Sequence, residues 1–211
     1  MNEENKQSLN TDIDYIGKYE QSGKIGTWLI DNFYQHIDEL IKIAAPLSCL
    51  EVGCGEGIST QKIHRSLKSE SFFEACELEP RLVESAQRRN PSIQVKQDSV
   101  YNLHYEDNQF DLVVCLEVLE HLDDFSKALE ELSRVSARWV LTSVPREPLW
   151  CFLNLCRLKY VSHLGNTPGH LNHWSTSGFK RLLSRYGKIN AARTPIPWSI
   201  VLWEVNPPTN D

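Results

Sequence analysis

The sequence predicts an α/β fold built on a doubly wound, seven-stranded sheet that is mostly parallel and carries an antiparallel edge strand. From residue 27 onward, short apolar runs alternate with segments of helical periodicity, as expected of strands that alternate with helices. A turn with three glycines joins the first apolar run to the next helical segment. The last two runs, residues 189–193 and 199–205, supply the antiparallel edge.

The remaining predicted elements follow in a regular order. A helix over residues 27–45 precedes the first strand, residues 46–52. Further strands are predicted at residues 72–76, 93–97, 110–115 and 139–142, and residues Ser143-Val144-Pro145 end the last of these. Further helices are predicted at residues 81–89, opened by Pro80, at residues 124–134, and at residues 176–186, closed by Gly187. At 211 residues the chain has the length of one domain, which we place at residues 27–211.

The turn after the first strand carries the strongest functional signal. Glu51 lies near the end of the strand, and Gly53, Gly55 and Gly57 follow at alternate positions. Glycine accepts positive φ and has no Cβ, so a ligand can approach the backbone closely there. The amides of the following helix favour negative charge. These residues predict a cradle for a nucleotide or cofactor.

The glycine spacing distinguishes two classes of cofactor. A dinucleotide-binding turn has the pattern G-x-G-x-x-G with a small third residue, but Ile58 occupies that position here and the third glycine comes one residue early. This argues against an NAD-dependent oxidoreductase, which is kept as an alternative function. Glu77 ends the second strand 24 residues after Gly53, and an acid near that place bonds ribose hydroxyls in doubly wound folds.

The order of these motifs, with Asp98 after the third strand and Glu117 after the fourth, resembles the class I S-adenosylmethionine (SAM) dependent methyltransferase family. The resemblance covers residues 45–145 closely, and the chain is similar to the small-molecule type that includes the ubiquinone-pathway O-methyltransferases. It implies a Rossmann-like methyltransferase fold, SAM as the cofactor, and methyl transfer to an O, N or C atom of a small molecule. A non-catalytic SAM-binding partner protein is the second alternative.

The resemblance also implies cofactor-binding residues. Glu51 would help to hold the methionine ammonium, Glu77 would bind the ribose hydroxyls, and Glu117 would lie beside the sulfonium. Asp98 and Ser99 would meet the adenine. The full implied set is Glu51, Gly53, Cys54, Gly55, Gly57, Glu77, Leu78, Asp98, Ser99 and Glu117. In this family an N-terminal segment often closes over the cofactor, so residues 1–26 are a candidate lid.

A second cluster of polar residues follows the fourth strand. Glu117, Glu120 and His121 lie where ligands bind in such sheets, and His170 comes four residues before Trp174. This pattern is similar to two metal-using subgroups, the small-RNA 3′-terminal 2′-O-methyltransferases and the ubiquinone-pathway enzymes, in which these two acids and two histidines would be the ligands. Metal-free relatives carry the pattern too. We therefore predict His121 and His170 as catalytic bases, with a divalent metal ion as the minor alternative.

An insertion at residues 146–174 interrupts the alternation of strands and helices. Residues 148–161 are strongly apolar and have the character of a helix. Three interpretations stay open: a cover over the substrate site, a homodimer contact, and a helix that lies on a membrane surface.

Composition and charge narrow the class of protein further. The six cysteines show no disulfide or zinc spacing, and no secretory signal or membrane-spanning run is seen, so a cytoplasmic protein is expected. Residues 134–193 carry ten Lys or Arg and one acid, a net charge of +9, whereas the rest of the chain nets −15. An anionic or carrier-bound small-molecule substrate would be drawn to the basic part, and the overall acidity argues against a nucleic-acid partner.

Overall fold

A seven-stranded sheet organises the chain in the computed structural model, which describes residues 23–156 and 160–206. The strands are β1 (Ser48–Val52), β2 (Phe72–Glu77), β3 (Gln94–Gln97), β4 (Phe110–Leu116), β5 (Ser136–Pro145), β6 (Gly187–Arg193) and β7 (Trp198–Val205). The α-helices are α1 (Lys24–Ala44), α2 (Ile58–Ser66), α3 (Pro80–Arg89), α4 (Phe125–Val135), α5 (Leu149–Cys156) and α6 (Thr176–Leu183), and short 3-10 helices span Leu119–His121 and Val161–His163.

The strand order is β3-β2-β1-β4-β5-β7-β6. Strands β1 to β5 are parallel, and β7 runs antiparallel to both β5 and β6. The predicted fold class is therefore confirmed, with β6 and β7 forming the antiparallel edge. The chain leaves β1 on one side towards β2 and returns on the other side as β4, so a crevice opens at the carboxyl ends of these strands, where open α/β sheets bind ligands.

Helices cover both faces of the sheet. On β4, Val113 belongs to the apolar layer that includes α4 and α6, whereas its neighbours Leu112 and Val114 belong to the layer that includes α1 and α2. A strand buried on both faces needs apolar side chains at successive positions. This explains why the sequence of β4 reads as a continuous apolar run and why it lies at the centre of the sheet.

Several helix and strand ends differ from the sequence prediction. Helix α1 begins at Lys24, three residues early, and β5 begins at Ser136. Helix α6 ends at Leu183, and Gly187, which we expected to close it, begins β6 instead. Residues 1–22 of the candidate lid lie outside the described residues. None of the described helices has the length and apolar character needed to cross a bilayer.

Gly187 is required for strand pairing rather than for a helix end. A Cβ at this position would lie 2.1 Å from the carbonyl oxygen of Glu204. We expect Gly187→Ala to lower the free energy of unfolding by about 1–3 kcal/mol, because the backbones of β6 and β7 must move apart. Gly23→Ala is the control, since a Cβ there meets no atom within 4 Å. Equal denaturant midpoints for the two variants would contradict the prediction.

Candidate functional site

The glycine turn between β1 and α2 forms the floor of the crevice. Gly53, Gly55 and Gly57 all have positive φ. A Cβ on Gly53 would lie 2.5 Å from Val118 Cγ2, and one on Gly57 would lie 2.9 Å from the Cα of Ala86. Gly55 differs, because a Cβ there would meet nothing within 4 Å. The outer glycines permit close packing, whereas the middle one borders open space that a ligand can occupy.

Glu77 ties the end of β2 to this turn. Its Oε2 accepts a hydrogen bond of 2.9 Å from the amide of Gly55. Its Oε1 accepts hydrogen bonds from the amides of Leu78 (2.8 Å) and Glu79 (3.3 Å). The carboxylate is thus held in one orientation beside the open part of the turn.

Glu51 is a buried carboxyl group at the carboxyl end of β1. The side chain is 1% exposed, and its Oε2 has no hydrogen-bond partner. Burial raises the pKa of Glu51 to about 7, and the nearby hydroxyls of Ser59 and Thr60 offset this only in part. A buried carboxylate is costly without a cation, so this position suits a positively charged ligand group.

Asp98 is placed at the carboxyl end of β3 and organises the turn that follows. Its Oδ1 accepts hydrogen bonds from the amide of Ser99 (2.8 Å) and from Nδ1 of His104 (2.9 Å). Its Oδ2 accepts a bond of 2.9 Å from the amide of His104. Sequence reasoning missed His104, because no local pattern pairs it with Asp98. Leu78 is exposed beside the end of β2.

The thiol of Cys54 points away from the open part of the glycine turn and into the core. Its side chain packs in a buried cluster with Ala75, Ala86 and Val95, and burial raises the pKa of the thiol. Its amide donates to the carbonyl of Cys76 at 3.1 Å. The thiol is therefore part of the core, and the sequence could not show this because neighbouring turn residues point in different directions.

Glu117 lies just beyond β4 with an unusual backbone conformation. Its φ is +57°, which is rare for a residue that is not glycine. The hydroxyl of Ser143 on β5 donates a hydrogen bond of 2.7 Å to Glu117 Oε1, and the amide of Glu117 donates to the carbonyl of Ser143 at 3.2 Å. Strained residues that neighbours hold in place cluster at functional sites. Ser143 was predicted only as a strand end.

Glu120, His121 and His170 come together beside the crevice. Each offers a ligand atom, and these atoms lie within 4.8 Å of one another. The ring centroids of the two histidines are 5.0 Å apart. Glu117, the fourth residue of the metal alternative, is not part of this group. The arrangement brings together side chains that are suitable for proton transfer or for ligation of a metal.

The hydrogen bond of His121 to the backbone shows which of its ring nitrogens is the donor. Its Nδ1 lies 2.9 Å from the carbonyl oxygen of Gly169, which can only accept, so Nδ1 carries the proton. The neutral ring then has its lone pair on Nε2, which lies 3.9 Å from Glu120 Oε1. A lone pair at this position can take a proton or bind a metal.

The loop that carries His170 docks on the short helix that carries His121. The amides of Leu171 and Asn172 donate to the carbonyl of Glu120 at 2.8 and 3.1 Å. The side-chain amide of Asn172 donates to the carbonyl of Leu122 at 2.6 Å. These bonds join segments about fifty positions apart in the chain, and Asn172 was not predicted.

The insertion adds α5 and the residues after it to the same side of the molecule. The indole of Trp150 donates a hydrogen bond of 2.9 Å to Thr167 Oγ1, and its ring lies 5.9 Å from that of His170. The side-chain amide of Asn154 donates to the carbonyl of Gly165 at 2.9 Å. Trp150 on α5 therefore contacts His170, which lies later in the same insertion.

Part of the chain is similar to known proteins. Residues 50–138 match the family described as a methyltransferase domain. The chain is 30% identical over 94 residues to a 2-phytyl-1,4-naphtoquinone methyltransferase of Trichormus variabilis, covering 42% of this chain and 41% of that protein. It is 29% identical over 127 residues to the human mitochondrial arginine-hydroxylase NDUFAF5, covering 60% of this chain and 33% of that protein. The chain thus spans less than half the length of either relative.

Solved structures show the same fold. The magnesium protoporphyrin IX methyltransferase of Synechocystis with bound S-adenosylhomocysteine (SAH) superposes with a TM-score of 0.64, at 15% identity, over 88% of this chain and 89% of that one. The N-methyltransferase NodS of Bradyrhizobium japonicum gives a TM-score of 0.63 at 17% identity, over 85% and 97% of the two chains.

The architecture and the glycine turn define a doubly wound α/β domain of the class that binds a nucleotide-like cofactor. Residues 50–138 match a methyltransferase domain and the fold is shared with solved methyltransferases, in agreement with the resemblance that the sequence motifs indicated.

Proposed function

We propose that this protein transfers a methyl group from SAM to a small-molecule acceptor. The observation that carries the proposal is the buried Glu51 Oε2, which has no hydrogen-bond partner and lies at the strand end that leads into the glycine turn. The α-ammonium of the methionine part of SAM is a cation that would satisfy it. The open space at Gly55 suits the same ligand. The residues of this chain therefore fit SAM.

The other binding roles follow the shape of the crevice. Glu77 would accept hydrogen bonds from the ribose hydroxyls, because the backbone amides of Gly55, Leu78 and Glu79 hold its carboxylate in one orientation beside the open part of the glycine turn. Asp98 Oδ2 accepts one amide, so one acceptor site is left for the adenine amino group, beside Ser99. Leu78 would flank the adenine ring, and Glu117 would lie beside the sulfonium.

The cofactor supplies an activated methyl group, so the protein mainly holds the acceptor in line with it. Correct orientation alone can contribute roughly 7–11 kcal/mol. If the acceptor is a hydroxyl, His121 Nε2 would take its proton, while the Gly169 carbonyl keeps the ring in the required tautomer. His170 would pack against this base and orient it.

A divalent cation is the second candidate role for the same cluster. The distances among Glu120, His121 and His170 favour it, and mixed carboxylate and imidazole ligands suit several divalent ions. The two roles exclude each other at one atom, because a metal on His121 Nε2 would occupy the lone pair that a base needs.

The substrate class is proposed from the relatives and from charge. The relatives named above include methyltransferases named for naphthoquinone and magnesium protoporphyrin substrates, so conjugated ring compounds head the acceptor panel. Anionic and carrier-bound compounds join it because of the basic part of the chain. All six cysteines are free thiols, which supports a reducing compartment such as the cytoplasm.

Thermal unfolding with SAH is the first test. At about 100 times its dissociation constant, SAH should stabilise the protein by about 2.7 kcal/mol and raise the midpoint by a few degrees. NAD should have no effect. A rise with NAD alone would favour an oxidoreductase. SAH binding without methyl transfer to any panel compound would favour the non-catalytic alternative.

The raised pKa of Glu51 predicts pH-dependent binding. The ligand ammonium needs the ionised carboxylate, so SAH affinity should fall about tenfold per pH unit below the pKa of about 7. Without ligand, the folded state keeps the proton between the ordinary value of 4.5 and about 7, so stability should decrease as pH rises through this window. Calorimetry on Glu51→Gln should show neither dependence. A pH profile unchanged by Glu51→Gln would contradict the assignment.

A further inference from the structure

His104 lies in the loop between β3 and β4 and bonds to Asp98, the acid at the carboxyl end of β3. Its amide donates to Asp98 Oδ2 at 2.9 Å, and its Nδ1 lies 2.9 Å from Asp98 Oδ1. An ionised carboxylate can only accept, so Nδ1 carries the proton and donates it. The side chain of Asp98 is 4% exposed, whereas that of His104 is 78% exposed. His104 is therefore a surface side chain that donates to a buried acid.

Hydrogen bonds to α4 fix the loop on both sides of His104. Arg134 on α4 donates to the carbonyl of Leu103 at 2.9 Å and to that of Tyr105 at 2.8 Å. Glu131 on the same helix accepts a bond of 2.8 Å from the amide of Leu103 and pairs with Arg134 at 2.7 Å. The side chains of Leu103 and Tyr105 are buried. The position of His104 is thus set by the packed fold, although its own side chain is exposed.

These bonds determine which oxygen of Asp98 is left for a ligand. Oδ1 accepts two hydrogen bonds, one from Nδ1 of His104 and one from the amide of Ser99 at 2.8 Å. Oδ2 accepts only the amide of His104, so it keeps room for one more donor. Without the imidazole, the carboxylate would be held by the backbone amides alone. Rotation about its Cβ–Cγ bond, which is intrinsically soft, would then be less restricted.

We propose that His104 is a positioning residue that orients Asp98 and thereby makes the cofactor site selective for a purine with a 6-amino group. The inference rests on the proposed function, because this amino group is that of the SAM adenine. His104 acts through Asp98, whose Oδ2 is held ready to accept from the amino group. A purine that lacks this group offers no donor and leaves the acceptor without a partner, which a site built around a hydrogen bond rejects.

Isothermal titration calorimetry of the full chain with two ligands tests the proposal. One ligand is SAH, and the other is the SAH analogue with unsubstituted purine in place of adenine. His104→Phe keeps a ring and removes the donor, whereas His104→Asn keeps an N–H donor near the place of Nδ1. His64→Phe is the control, because it makes the same change at an exposed histidine in the last turn of α2, whose ring stacks on that of Phe73.

We expect the wild-type protein and the control to bind SAH at least about tenfold more tightly than the purine analogue, as a hydrogen bond to a charged group requires. His104→Phe should reduce this preference to less than about threefold, mainly through weaker SAH binding, and His104→Asn should restore it. If His104 only stabilised the loop, both affinities would fall together and their ratio would stay. An unchanged ratio in His104→Phe, or no preference in the wild-type protein, would overturn the proposal.

The same titrations in an Asp98→Ala background show whether His104 acts through Asp98. There, His104→Phe should cause no further change in SAH affinity, because the residue that it orients is gone. A further fall in SAH affinity would overturn the proposal. If the wild-type protein does not bind SAH at all, the proposed function fails and this inference fails with it. If it binds SAH and His104→Phe keeps the wild-type ratio, only this inference fails.

Discussion

Replacing Glu77 by alanine should weaken SAH binding by at least about 100-fold. The carboxylate would bind both ribose hydroxyls, and hydrogen bonds to a charged group contribute about 1.5–3 kcal/mol each. It also holds the amides of Gly55 and Leu78 at 2.9 and 2.8 Å, so the turn itself would lose an anchor. Isothermal titration calorimetry with SAH measures the change directly.

Glu79→Ala is the matched control for this experiment. Its side chain lies two residues further on, is 52% exposed and pairs with Arg81. It should bind SAH with nearly the affinity of the wild-type protein, because it does not contact the glycine turn. The unliganded unfolding midpoints of both variants show whether either change acts through stability. Equal SAH affinities for Glu77→Ala and Glu79→Ala would remove Glu77 from the cofactor site.

Replacing His121 by alanine should lower kcat by roughly 10²–10⁴-fold with an acceptor that reacts through a hydroxyl, because a positioned base typically contributes that much. SAH affinity should change little, since His121 belongs to the cluster beside the crevice rather than to the glycine turn. His173→Ala is the control, because this exposed histidine bonds to Asn166 at 2.8 Å and is not part of the cluster. A loss of activity as large in His173→Ala as in His121→Ala would argue against the assigned role.

The same variants distinguish the base from the metal. If His121 is the base, chelation with EDTA should leave the wild-type rate unchanged. If a metal is held by Glu120, His121 and His170, chelation should abolish activity and Mn²⁺ should restore it. Binding of Mn²⁺ followed by electron paramagnetic resonance needs no acceptor, and it should be lost in His121→Ala and kept in His173→Ala. Binding retained in both variants would place the ion elsewhere.

The elements near the crevice were the easiest to predict from the sequence, because they depend on local patterns. Pro80 begins α3 as expected of proline at a first helical position, and the Asp124 side chain accepts a hydrogen bond from the amide of Lys127 at the start of α4. The continuous apolar run of β4 indicated a central strand. The residues that form each of these signals lie close together in the sequence, so the signals can be recognised without knowledge of the tertiary structure.

Features that depend on distant contacts were not predicted. Gly187 looked like a helix end, but its real neighbour is the Glu204 backbone on β7. The direction of the Cys54 thiol and the bond from His104 to Asp98 also required the packed structure. Each of these contacts depends on where one residue lies relative to a distant element of the fold. The hydrophobic periodicity of the sequence contains no information about that position.

For this protein, the sequence alone determined the alternating fold, the glycine turn and the acids at successive strand ends, because spacing along the chain places them on one edge of a parallel sheet. Only the tertiary structure decided which polar groups meet. It brought His170 to His121 through backbone bonds to Glu120, and it left Glu117 outside that group, held by Ser143. The physical reason is that hydrogen bonds and close packing between remote segments act on individual atoms, whereas a sequence pattern records only their order.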